Sequence, residues 1–217
     1  MQESSRAMRL LWGGIVFFLT SLYYVLFYFP PRLVGVNDPD RFYHLALSRL
    51  MSTQEGLVRT LPQVEDLGWG RYFPDKEFLF HVMTGGADWI AGAWGVMMVV
   101  PLLGAAIIAC LYVELSRVIR PSQAAALVMT VAFITTIFIF RLTILRPHLL
   151  AILFFCMLVI ALFRGRPWHA ALAATGFALS YHAIYVVLLA IGVAALFRWP
   201  AASPLRIKFF TKRSSNE

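Results

Sequence analysis

LLWGGIVFFLTSLYYVLFYF, residues 10–29, runs for twenty residues without a charge. Wound as an α-helix at about 1.5 Å per residue, such a run covers roughly 30 Å, the thickness of a bilayer's hydrocarbon core. It is too long for the apolar core of a cleaved signal peptide, and the FPPRLVGVN around its end offers no small-residue cleavage site. The run therefore reads as a signal anchor that stays in the membrane. Working outward from it, further uncharged runs follow at 91–113, 121–140, 147–163 and 168–197. The last is long for one crossing. Either it turns near Ser180, Tyr181 and His182 into spans 168–180 and 183–197, each shorter than the usual length of about 17–25 residues, or it crosses once as a tilted helix.

The composition agrees with several spans. Hydrophobic residues make up 60% of the 217, only 14% are charged, and the mean hydropathy is +0.73. The expected fold is all-α: a polytopic integral membrane protein, one domain over 1–217, with about 5–6 transmembrane helices and a partly helical first extracytoplasmic loop at 30–90. The formal charge of +8 does not point to nucleic acid, because the basic residues are scattered between apolar runs and form no stripe on a soluble face. They serve as topology signals instead. With Arg6 and Arg9 cytoplasmic, alternation puts Arg117, Arg120, Arg164 and Arg166 on the same side, as the positive-inside rule requires. The expected location is the cytoplasmic (plasma or inner) membrane, with a cytoplasmic N-terminus. Cys110 and Cys156 lie inside apolar runs and read as packing residues.

This topology gathers polar chemistry on the outer face. The loop at 30–90 holds eight of the eleven acids, and four of the five histidines (His44, His81, His148 and His182) fall at the same boundary, together with Arg141 and Arg146. Ionisable groups beside hydrocarbon are costly and tend to be kept for function. The segment VNDPDRFYHLALSR, residues 36–49, also reads as a helix start: Asp38 as N-cap, Pro39 in the first turn, and Asp40 where the helix dipole favours an acid. Phe42, Leu45, Ala46 and Leu50 then form an apolar side for a helix lying in the interface, with Arg41, His44, Ser48 and Arg49 on or near its polar side. Asp38 and Asp40 are spaced to hold a hard divalent ion or to activate a hydroxyl, although a bare D-x-D is a weak signal. Glu77 and His81 share a helix face that reads as solvated, with Gly85 and Gly86 expected to interrupt that helix. Trp69, Trp89, Trp94, Trp168 and Trp199 fall near boundaries, where aromatic belts are expected. No P-loop, dinucleotide fingerprint, Cys/His zinc pattern or nucleophile elbow occurs.

The order of signal anchor, VNDPDRFYHLALSR and then GWGRYFPDKEFLFHVMTGGADWIAG resembles the N-terminal part of GT-C superfamily glycosyltransferases, closest to oligosaccharyltransferase catalytic subunits. The matching positions are Asp38, Asp40, Tyr43 and His44 in the first motif, and Pro74, Phe80 and His81 in the second. The resemblance implies transfer of a sugar from a polyprenyl-phosphate donor to an acceptor outside the cytoplasm. Asp38 and Asp40 would then be the catalytic acids and the ligands of a divalent cation, Mg or Mn. Tyr43, His44, His81, Arg146, His148 and His182 would contact substrate. Arg146, beside Pro147, could stabilise the leaving lipid phosphate or simply snorkel to headgroups. Full-length members carry more spans and, in oligosaccharyltransferases, a soluble C-terminal domain with a Trp-Trp-Asp motif. Neither is found here, so the implied unit is the N-terminal, donor-side module, partnered by the bilayer, the lipid-linked donor and a further subunit or missing C-terminal portion. The competing expectation is a non-catalytic membrane subunit or transporter-like protein whose loop docks a partner. Transporters place ionisable groups near the bilayer midplane, and these spans are almost free of them.

Overall fold

The computed structural model describes residues 2–28, 40–53, 58–61, 66, 68–134, 141–142 and 144–198. Among the described residues the chain is helical throughout, with seven helices and no strand. α1 spans Gln2–Tyr28, α2 Asp40–Thr53, α3 Phe78–Leu115, α4 Pro121–Ile134, α5 His148–Phe163, α6 Pro167–Ser180 and α7 Ile184–Arg198. Prolines open α4 and α6, where a missing N–H costs nothing, and Pro147 immediately precedes α5. α6 and α7 are separate helices, divided where Tyr181 turns extended (φ −157°).

Among the described residues two helices are long and apolar enough to cross a membrane: α1 over Arg6–Leu26, and α3. α1 carries the 10–29 run and buries Val16, Thr20 and Tyr24, spaced four apart, while Leu10, Leu11, Phe18 and Leu26 face outward. An outward apolar stripe of that size suits lipid better than water.

α3 is too long to be one crossing. Its 38 residues would cover about 57 Å, nearly twice the hydrocarbon thickness. The helix bends at Ala91 and Gly92, where Gly92 takes φ 61°, a value a side chain would strain. The bend coincides with the start of the apolar run at 91–113 and leaves residues 78–90 as a separate arm. Gly85 and Gly86 do not interrupt that arm, contrary to the sequence expectation. A Cβ on Gly85 would lie 3.0 Å from the Cβ of Met51, so the missing side chain serves the approach of α2.

α1, α3, α4 and α5 share the main core, which includes Val16, Tyr24, Val100, Ile107, Ile108, Val128, Leu145 and Leu149. α5, α6 and α7 share a second, and a third lies beneath α2, formed by Leu47, Met51, Val58, Leu61 and Phe73. Trp69 packs into that third core against Phe73 and anchors the loop. The loop is pinned by Leu61 N–H donating to Trp69 O (2.7 Å) and Phe73 N–H to Arg59 O (2.8 Å).

The bundle has two unlike ends. At one, Tyr112 donates to the carbonyl of Arg9 at 3.0 Å, and Glu114 meets both Arg117, at 3.7 Å, and Arg164. At the other lie the starts of α2, α3 and α5.

Candidate functional site

The starts of α2 and α3 are joined by a polar seam. His44 faces His81, Ser48 faces Thr84, and Ser52 donates to the carboxylate of Asp88. Residue numbers rise together along both helices, so α2 and the arm of α3 run parallel. Ser48 Oγ lies 2.7 Å from Thr84 Oγ1, and the Thr84 hydroxyl donates to the Phe80 carbonyl at 3.0 Å. Arg49 approaches Asp88 from outside, at 3.9 Å.

The seam corrects the expected orientation of α2. His44, Leu47, Ser48 and Met51 form its buried face, whereas Phe42 and Ala46 are exposed. His44 and Ser48 turn inward because the α3 arm supplies matched partners, and a buried polar group is tolerated when it is hydrogen-bonded.

The first turn of α3 organises the rest. Asp75 accepts the Glu77 backbone N–H at 2.9 Å, and its two carboxylate oxygens each lie 2.9 Å from His81 Nδ1. With its Nδ1–H donated to Asp75, His81 turns Nε2 toward His44 Nδ1, 3.0 Å away. Both rings are buried, at 3% and 0% exposure. Tyr43 and Phe80 close the cage edge-on: Tyr43 has ring centres 5.2 Å from His44 and 6.0 Å from His81, and Phe80 lies 5.3 Å from His44. The sequence expectation of a solvated Glu77–His81 face fails here, since His81 is fully buried and Glu77 half-buried.

Burial sets the electrostatics. Desolvation lowers the pKa of His44 to about 3, helped by His81, Arg146 and His148 and opposed by Asp75, so its imidazole is neutral at physiological pH. Burial also raises Glu77, as do Asp75 and Asp40, while His81 and His182 oppose. Tyr43 is raised by burial first, then by Glu77 and Asp75.

Asp40 sits in the first turn of α2, and Arg146 Nη2 lies 3.0 Å from its Oδ2. The two side chains are 53% and 35% exposed, so the pair is worth at most about 1 kcal/mol. It therefore fixes geometry more than stability, and either charge can be redirected to a ligand at small cost. His148 donates to the Arg141 carbonyl at 3.0 Å. His182 is exposed, with its ring 4.6 Å from that of Tyr181, and it reaches the cluster through its field at Glu77. Asp38 lies outside the described residues.

His44, Glu77 and His81 each offer a ligand atom, and the three atoms lie within 4.8 Å of one another. Sequence reading named both histidines but missed the set and also missed Asp75. The available signal was D-x-E-x-x-x-H over 75–81, an acid that can cap a helix turn carrying Glu and His four apart. Comparison of the chain with family models, curated proteins and solved structures returns no match.

Proposed function

We propose that the chain is a polytopic membrane glycosyltransferase, or the N-terminal module of one, that transfers a sugar from a polyprenyl-phosphate-linked donor on the extracytoplasmic side. The observation that carries this reading is the Asp40–Arg146 contact, which joins the acid of the first motif to the basic corner before α5 beside a buried histidine pair. Two further features support it. Glu114, Arg117 and Arg164 meet at the end of α3 that Arg9 also reaches, and positive-inside bias makes that end cytoplasmic and the Asp40 end external. α4, α5 and α7 are apolar helices of 14–16 residues that cross beside α1 and α3 in this reading.

In this mechanism Asp40, with Asp38, activates the acceptor hydroxyl or helps to hold a divalent ion. Arg146 exchanges Asp40 for the donor's phosphate, and the N-terminus of α5 adds to the positive potential as the leaving group departs. Transfer from a lipid-linked donor, measured with wild type and Asp40→Asn, tests the proposal. Loss of about a hundredfold or more is expected for a removed acid or base. Equal, robust transfer by both proteins would remove Asp40 from the chemistry. No transfer by wild type, with stable co-purification of a partner, would favour the non-catalytic subunit.

A further inference from the structure

We propose that His44, Glu77 and His81 form a binding site for a first-row transition ion, with zinc as the best fit, separate from the Asp38–Asp40 pair. Two imidazole nitrogens and one carboxylate oxygen, from α2 and from the first turn of α3, converge within 4.8 Å of one another. Two bonds of about 2.0–2.1 Å at a tetrahedral angle put the ligand nitrogens about 3.3 Å apart. His44 Nδ1 and His81 Nε2 stand at 3.0 Å, so an ion replacing the N–H between them requires only a few tenths of an ångström of opening.

The surroundings match those of a metal histidine. A ligating His normally donates its other ring N–H to a carboxylate or carbonyl, which fixes ring orientation and raises basicity. Asp75 does this for His81, holding Nδ1 with both oxygens while its own position is set by the Glu77 N–H. The nitrogen donors select against magnesium, which takes oxygen ligands in near-octahedral geometry. Three protein ligands leave a position open, as in zinc sites that act on a bound molecule. Glu77 is the half-exposed member, so the open position is on its side. The proposal does not rest on sugar transfer.

The test is titration of the full-length chain, purified in detergent and stripped with a chelator, using Zn2+ alone and Co2+ as a coloured substitute. Wild type should take up one equivalent and develop the visible bands of nitrogen-bound Co2+, with a higher thermal midpoint at saturating Zn2+. Glu77→Gln and His81→Gln should lose the bands, with far-UV helicity as the folding control. Asp75→Asn should keep the site but weaken it about 10–100-fold, the usual effect of removing an outer carboxylate. Asp40→Asn should keep the nitrogen-bound Co2+ bands, so a failed glycosyltransferase reading and a failed metal site give different results. Absence of binding by wild type would overturn the proposal and leave the two rings as a structural hydrogen-bond relay. So would binding unchanged in Glu77→Gln, or displacement of Co2+ by Mg2+. Should His81→Gln fail to fold, wild type and Asp75→Asn still decide.

Discussion

α3 is packed on two sides of its bend by opposite chemistry. Below Gly92 it meets α1 through Val16, Tyr24, Val100, Ile107 and Tyr112, an apolar seam of large side chains set against small ones. Above Gly92 it meets α2 through His44–His81, Ser48–Thr84 and Ser52–Asp88, a polar seam buried as deeply at its first two pairs and half-buried at the third. The apolar seam depends on close approach and tolerates polar loss. The polar seam depends on complete pairing, because each group that loses its partner carries the full cost of desolvation. The second kind of seam specifies one register of α2 where an apolar contact would allow several.

The largest effect should come from breaking the polar seam at its centre. His81→Leu removes the ring partner of His44 and the side-chain partner of Asp75, leaving the carboxylate only the Glu77 N–H. Each buried polar group left short of a partner costs about 1–3 kcal/mol, and more where it is charged, and this substitution affects two of them. Thermal unfolding in detergent should show it as the largest drop among single substitutions at the α2–α3 contact. A midpoint within a degree of wild type would mean that the seam does not hold the arm.

Next is the apolar seam. A Cβ on Gly104 would meet the Tyr24 ring at 2.7 Å, so Gly104→Ala must push α1 and α3 apart or rotate a fully buried ring. Overpacking of this kind costs about 1–3 kcal/mol. The apolar seam should thus prove less sensitive to one methyl than the polar seam is to one imidazole, and the reverse ranking would invert the comparison.

These seams also mark where sequence reading stopped. The uncharged runs at 10–29, 91–113 and 147–163 were legible as helices because an apolar period-free stretch has little else to become. The start of α2 at Asp40 was legible from its helix-start chemistry. What was not legible was the pairing of α2 with the α3 arm. His44 and Ser48 lie on a face that looks polar and therefore exposed by every local rule, and only the distant His81 and Thr84 make burial affordable. Asp75 was passed over for the same reason: its role is to hold His81, and that contact exists only once the first turn of α3 is wound. Glycines misled in a consistent way. Gly85–Gly86 suggested a break and instead admit Met51, while Gly92, unremarked, makes the bend.

Acidification should separate the seams by a smaller margin. The folded pKa of His44 is lowered, from 6.5 to about 3, so between those values the unfolded chain binds a proton that the folded one refuses. His44 therefore lets stability be complete above about pH 6.5 and removes it as pH falls toward 3, with a slope of at most about 1.4 kcal/mol per pH unit. Glu77 opposes: its raised pKa makes its own contribution fullest below 4.5 and loses it as pH rises through the folded value. Between pH 6.5 and 5.5 the His44 contribution falls with pH and lowers the thermal midpoint of wild type, against the opposing change at Glu77. His44→Gln should lack that dependence, and an equal slope in both would assign the titration elsewhere.

The smallest effect is the sharpest test of the contrast. Tyr24 OH is buried in the apolar seam with no hydrogen-bond partner among the described residues, next to Thr20 and Ser21, whose hydroxyls are in the same condition. An unpaired hydroxyl contributes nothing that its desolvation has not already cost, so removing it should be neutral or slightly stabilising. Tyr24→Phe keeps the ring against Gly104 and should leave stability unchanged or raise it slightly. Thr84→Val is the matched change in the polar seam: it keeps shape and deletes a hydroxyl that accepts from Ser48, which is then left with the His44 carbonyl alone, 2.6 Å away, so the loss should be that of one net hydrogen bond, about 0.5–1.5 kcal/mol. Each substitution removes one buried hydroxyl, and they differ in whether that hydroxyl was hydrogen-bonded. Equal losses would mean that the hydroxyls of both seams are satisfied alike, and the distinction between a seam held by shape and one held by pairing would no longer describe this molecule.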